Sequence, residues 1–277
     1  VTSADETFMT DAALPSNLLA DPAAKVAHRS GPTVLPRQKI QPLRALRAFR
    51  RLLADKEDTQ QVFEIMQAMN GQSTAKAYRR LLRTVEGGRL AYRRLELNQL
   101  LNDPAYLDRL PEGSVGAAYR DFMRSENLSA DGLAEESRKA AIKRGVLVEL
   151  EHPMAWFGRR IRDSHDIWHT LTGYGRDGLG ELCLVAFSYA QTRSAGWAFI
   201  AIGGCLRALK EKSGHRAVQA VWQAYQHGKR AAWLPGEDFE RILAEPLALA
   251  RQRLNLAPPS LYLAIPSERR DATANMS

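Results

Sequence analysis

No stretch of this 277-residue chain alternates apolar and polar residues over the length of a β-strand. Side chains lining one face of a sheet recur every second residue, whereas those lining one face of a helix recur every three to four. Only the helical rhythm is present. In "PLRALRAFRRLLADKEDTQQVFEIMQAM", Leu43, Leu46, Phe49, Leu52 and Leu53 fall at helical spacing, with Arg44, Arg47, Arg50 and Arg51 on other faces. Asp58 and Thr59 can start a second helix that runs to Met69. "STAKAYRRLLRTV" predicts a third, ended at Gly87-Gly88. Further helices are expected near Leu95–Leu101, after the Pro-Glu-Gly turn of "RLPEGSVGAAYRDFMRSENL", through "HDIWH", along the apolar run from Leu182, and over "HRAVQAVWQAYQHG" and "EDFERILAEPLALARQRL". The expected fold is all-α. It comprises a loosely ordered arm over 1–38, a single mostly helical domain over 39–265 and a flexible tail over 266–277.

With 45% hydrophobic and 25% charged residues, such a chain can build a core without staples. Cys183 and Cys205, both in apolar surroundings, read as reduced buried thiols and point to a cytoplasmic compartment. The net charge of +8 favours an anionic partner. No zinc finger, RNP-type motif or basic tail selects nucleic acid, so none is expected, and anionic lipid headgroups are left. No run approaches the roughly 18 uncharged apolar residues of a membrane span. The opening "VTSADETFMTDAALPSNLLAD" has neither a signal-peptide nor a transit-peptide pattern.

The segment most informative about chemistry is "RDSHDIWHTL". At about 100° per residue, His165, Asp166 and His169 share one arc of a helix, with the two imidazoles one turn apart. Two imidazoles and a carboxylate form a partial shell for zinc or a first-row transition metal. One helix cannot surround an ion, so a further ligand must come from another element. "TGYGRDGLGE" lets the chain turn sharply, and Glu181 then opens the next helix, from which it could point back. A structural histidine pair is the alternative at this stage. A peptidase-like site, with Asp166 in place of the glutamate of HExxH, is weakened because a ligated Asp166 cannot also be a free base.

The pattern His165-Asp166-x-x-His169, eleven residues, then Glu181 resembles the metal motif of the coenzyme Q biosynthesis protein 4 family. "LPEGSVGAAYRDFM" and "AYQHGKRAAWLPGEDFERILAEPLALARQRLNL" resemble other segments of that family, so the similarity extends over roughly 40–260. The resemblance implies a helical protein of ubiquinone biosynthesis, peripheral to the membrane. Its metal ligands would be His165, Asp166, His169 and Glu181, and its partners a prenylated precursor and the other enzymes of the pathway. It also implies either oxidative decarboxylation at ring carbon 1, where hydroxyl replaces carboxyl, or a non-catalytic lipid-binding scaffold. Iron(II) would suit oxygen chemistry, and zinc could act only as a Lewis acid.

A prenylated precursor needs an apolar groove beside the ion. Phe187, Trp197, Phe199 and Ile200 could line it, and Gly196, Gly203 and Gly204 would admit another helix or an isoprenoid tail. The arginine-rich helix over 43–53 has the composition of one lying on a membrane surface, expected here to be the inner face. Trp156, Phe157, Arg159 and Arg160 could anchor the entrance of the site. A homodimer is possible if apolar helix faces remain uncovered.

Overall fold

A computed structural model of the chain describes residues 39–54, 59–69, 71–126, 152–210 and 214–272. The arm over 1–38 lies outside them, as does the polar connection after 126. Every regular element among the described residues is helical. They are α1 (Pro42–Ala54), α2 (Thr59–Met69), α3 (Ser73–Leu81), α4 (Val85–Arg93), α5 (Leu97–Leu101), α6 (Pro104–Leu107), α7 (Val115–Ser125), α8 (Pro153–Asp163) and α9 (His165–Thr172). The chain continues through α10 (Gly178–Thr192), α11 (Ala195–Ala208), α12 (Gly214–Arg230), a 3₁₀ turn (Leu234–Gly236), α13 (Phe239–Ile242), α14 (Leu247–Arg253), α15 (Ser260–Leu263) and α16 (Ser267–Ala272).

Helix α10 is the axis of the structure because it is apolar on almost every side. Leu179, Leu182, Cys183, Leu184, Val185, Ala186, Phe187 and Ala190 are all buried. Such a helix must be surrounded by other helices. On one flank lies α12, whose buried Ala217, Ala220, Val221, Ala224 and Gly228 recur at helical spacing. Its close approach has little room to spare: a Cβ at Gly228 would stand 2.7 Å from the Phe187 carbonyl oxygen. Helix α11 packs on α10 through Gly204, where a Cβ would meet Leu182 at 2.4 Å.

The other glycines of α11 are also met by neighbouring helices. Gly196 faces Met66 of α2, and Gly203 faces the Phe49 ring of α1. Ile200 joins Ala45, Ala48, Ile65, Ala68 and Val185 in one buried cluster, with Trp197 and Phe199 packed against it. Phe187 lies elsewhere, fully buried and edge-on to Trp168 at 6.2 Å.

Two expectations change, and a third observation sets the inward face of α1. Gly87 and Gly88 do not end a helix but lie in the first turn of α4, where Thr84 caps the helix by accepting the Gly87 amide at 3.0 Å. Trp156, Phe157 and Arg160 are core residues and not an entrance anchor. Trp156 donates to the Leu95 carbonyl at 3.0 Å, and Arg160 makes a two-pronged bond to Glu240 at 2.7 and 3.1 Å. Finally, α1 turns Ala45 and Ala48 inward and leaves Leu43 and Leu46 exposed beside Arg47, Arg50 and Arg51. Past residue 265 the chain is helical again in α16, with the Arg270 guanidinium over the Tyr262 ring at 4.5 Å.

Candidate metal centre

Helices α8 and α9 meet at Ser164, so His165 and Asp166 occupy the first turn of α9. The inner side of α9 is held by buried Ile167, Trp168 and Leu171. Its far end is closed by Gly173 at φ +78°, a left-handed position that glycine adopts without Cβ strain. Arg251 of α14 donates to the Leu171 and Thr170 carbonyl oxygens at 2.9 and 3.0 Å, satisfying acceptors that a helix end leaves free. The short helix is thereby tied down at its C-terminal end.

His165, Asp166 and His169 each present a ligand atom within 4.8 Å of one another. The rings of His165 and His169 lie 4.8 Å apart, edge to face. Glu181 reaches back from the first turn of α10. Its Oε1 is 3.4 Å from His169 Nε2, and its Oε2 is 3.9 Å from His165 Nε2. The structure therefore brings together all four residues singled out in the sequence.

The tautomer of His169 follows from its partner. Nδ1 lies 2.8 Å from the Tyr174 carbonyl oxygen, which can only accept, so Nδ1 carries a proton and, in the neutral ring, Nε2 offers a lone pair. That Nε2 is buried and has no hydrogen-bond partner. Leaving such an atom unsatisfied costs about 1–3 kcal/mol unless another species meets it. A metal cation is the species that suits it, and an imidazole oriented through its second nitrogen is the usual arrangement of a metal-bound histidine.

The four groups are electrostatically coupled. Burial alone would push the Glu181 carboxyl up, but the His169 and His165 imidazoles and the Arg176 guanidinium outweigh it and hold it at about 2. Burial likewise opposes ionisation of Asp166, and its hydrogen bond with His165 prevails, lowering its pKa. Burial pulls His165 down, while the Asp166 bond and the Glu181 charge pull harder and raise it.

Glu181 is placed by a chain of contacts. The Asp177 carboxylate caps α10 by accepting the Gly180 amide at 2.8 Å. Gly180 packs against the backbone of Gly175, where a Cβ would fall 2.1 Å from the carbonyl oxygen. The Tyr262 hydroxyl of α15 donates to the other oxygen of Asp177 and accepts the Gly175 amide at 3.0 Å.

Three participants carry no signal in the sequence. Phe122 of α7 stacks on the His169 ring at 5.6 Å and 22°. Tyr119, one turn earlier and buried, has its hydroxyl pKa raised by burial and by the nearby Asp166 and Asp163 charges. Tyr262 comes from 85 residues beyond Asp177. Tyr119 and Phe122 fall in the helix expected after the Pro-Glu-Gly turn, but nothing in their spacing says which helix they face.

Fold and site define a class: an all-helical protein with a histidine–carboxylate centre between a short helix and the first turn of its central helix. Residues 38–260 match the family model described as coenzyme Q (ubiquinone) biosynthesis protein Coq4, and the chain belongs to that family. The mitochondrial ubiquinone biosynthesis protein COQ4 homolog of Bos taurus is 28% identical over 192 residues, covering 69% of each chain. The Rattus norvegicus homolog is 27% identical over 178 residues, 64% of this chain and 63% of its own, so the match spans just under two thirds of that relative. A crystal structure from Nostoc punctiforme PCC 73102, described as a ubiquinone biosynthesis protein, superposes with a TM-score of 0.58 at 20% identity. It covers 79% of this chain and 99% of its own, and it shares the fold.

Proposed function

We propose that this protein binds a divalent metal ion through His165, Asp166, His169 and Glu181 and uses it on a prenylated hydroxybenzoate-type ring in ubiquinone biosynthesis. The reaction would be oxidative decarboxylation: the bond from ring to carboxyl breaks and carbon dioxide leaves, water supplies the hydroxyl that takes its place, and external dioxygen accepts the two electrons to become hydrogen peroxide. The observation that carries the reading is the buried, unpartnered Nε2 of His169, facing Glu181 and beside His165 and Asp166. Bound iron(II) would supply oxygen chemistry, whereas zinc would polarise an oxygen only. Phe122 would shield one side of the centre, and the Tyr174 carbonyl would keep His169 in its ligating tautomer.

The alternative is a scaffold that holds lipid intermediates around a structural ion. A structural site is closed on all sides. Here the Glu181 side chain is 34% exposed and that of His165 23%, so one side of the centre is open to an incoming group. This favours catalysis.

A peripheral membrane position fits the surface. No helix among the described residues is long and apolar enough to cross a membrane. Helix α1 exposes Leu43, Leu46, Arg47, Arg50 and Arg51, and its neighbour α11 exposes Ile202 and Leu206. Apolar side chains flanked by arginines suit a surface of anionic lipid, where the precursor and the other enzymes of the pathway would be met.

The test uses cells whose only copy carries Glu181→Ala at normal abundance, with prenylated ring intermediates identified by mass spectrometry. Accumulation of the species that retains its C1 carboxyl is expected. Loss of all late intermediates would favour the scaffold, and normal quinone would overturn the role of Glu181.

A further inference from the structure

Arg176 sits in the turn between α9 and α10, at the open side of the centre. Its Nε is 3.4 Å from Glu181 Oε1, and its two terminal amino groups have no partner among the described residues. The side chain is one-third exposed, so those amino groups can meet a ligand that enters from solvent. Its positive charge also bears on His165, Asp166 and Glu181.

Charge balance shows what the guanidinium is free to do. Two neutral imidazoles and two carboxylates neutralise a divalent ion. An ion that draws on the Glu181 oxygens weakens their hold on Arg176, leaving one positive charge at the mouth of the site. A guanidinium presents parallel N–H groups that match a carboxylate, a geometry an ammonium group lacks. Phe122, stacked on His169, adds a flat apolar surface beside the centre that suits an aromatic ring.

We infer that Arg176 is the specificity residue of this site, binding the carboxylate of an aromatic acid through its free guanidinium edge. The inference rests on the function proposed above. It also explains how a substrate would be told from its decarboxylated product, which has no group for Arg176 to hold. Arg176 grips the carboxylate until the carbon–carbon bond breaks, so it holds the starting acid and the transition state about equally. Losing it therefore raises KM more than it lowers kcat.

The test measures binding of 3,4-dihydroxybenzoate, of catechol and of phenyl phosphate to the zinc-loaded protein, in wild type, Arg176→Gln and Arg176→Lys. Circular dichroism and metal content confirm that each is folded and loaded. Wild type should prefer the acid to catechol. Arg176→Gln should weaken the acid on the order of 10- to 100-fold, as expected for loss of a charged hydrogen bond, and leave catechol unchanged. Arg176→Lys should fall between them. If the acid keeps its advantage in Arg176→Gln, the role of Arg176 is overturned while the proposed function stands. If wild type shows no preference for the acid, the proposed function falls and this inference with it. Tighter binding of phenyl phosphate than of the acid would replace the carboxylate by a phosphate group and overturn the assignment.

Discussion

The Tyr262 hydroxyl donates its hydrogen bond to Asp177, and through Asp177 it determines where Glu181 stands. One oxygen of Asp177 receives Tyr262, while the other caps the helix that carries Glu181 three residues beyond Gly178. A residue in α15 thus governs a ligand group without touching it.

Tyr262→Phe should accordingly lower zinc affinity by about 10- to 100-fold, the usual cost of removing an outer hydrogen bond around a metal site. Competition against a chromophoric chelator would measure it. Affinity equal to wild type would show that α10 holds its position without this bond.

Acidification should weaken metal binding in a predictable direction. Asp166 and Glu181 raise the His165 pKa against the downward pull of burial, so in the metal-free protein a proton occupies His165 at higher pH than it would a free imidazole. Metal must displace that proton. Affinity should therefore decline steadily as pH falls from about 8 to 6, across the usual histidine range. His165→Gln should flatten the dependence, and a wild-type affinity that does not change with pH would exclude His165 as a ligand.

The ion pair between Arg160 and Glu240 is the main buried electrostatic commitment of the fold, with side chains 2% and 4% exposed. Glu240→Ala strands the arginine and should cost about 3–5 kcal/mol in urea unfolding. Burial would push the Glu240 carboxyl up, but Arg160 and the hydrogen bond with Asp238 prevail and hold it well below the usual carboxylate range. A carboxyl depressed by folding stabilises fully above its unfolded pKa. Wild type should therefore lose stability between about pH 4.5 and 2, and Glu240→Ala should lose less over that window. Parallel acid titrations of the two proteins would sink the assignment.

Charge reversal of Arg47, Arg50 and Arg51 to glutamate should abolish sedimentation with vesicles containing phosphatidylserine. Each arginine is expected to contribute about 1 kcal/mol near such a surface, and added salt should weaken wild-type binding. Unchanged sedimentation, together with a dimer that covers Leu43 and Leu46, would make this face a protein interface instead.

The contrast between what was legible in the sequence and what was not follows from interaction range. The metal helix and its stop at Gly173 depend on near neighbours and were readable from spacing, whereas the pairing of Glu181 with the histidines rested on the family resemblance. The packing face of α1 was not readable because large leucines dominate its apolar pattern. The smaller Ala45 and Ala48 allow α2 and α11 to approach, and they set the inward face. Trp156 and Arg160 looked like surface anchors because their partners, Leu95 and Glu240, lie 61 and 80 residues away. Phe122 beside His169 belongs to the same category, since a ring stacked across two helices leaves no periodic trace.

The centre joins two helices of unequal freedom. Glu181 belongs to an axis packed on nearly all sides, whereas the two histidines ride on a segment of eight residues. Ions of different radius would thus be accommodated by movement of the short segment toward or away from a stationary glutamate. Arg251 ties the end of that segment to α14. Exchanging one metal for another would call for adjustment in the C-terminal third of the chain, with the ligands themselves unchanged.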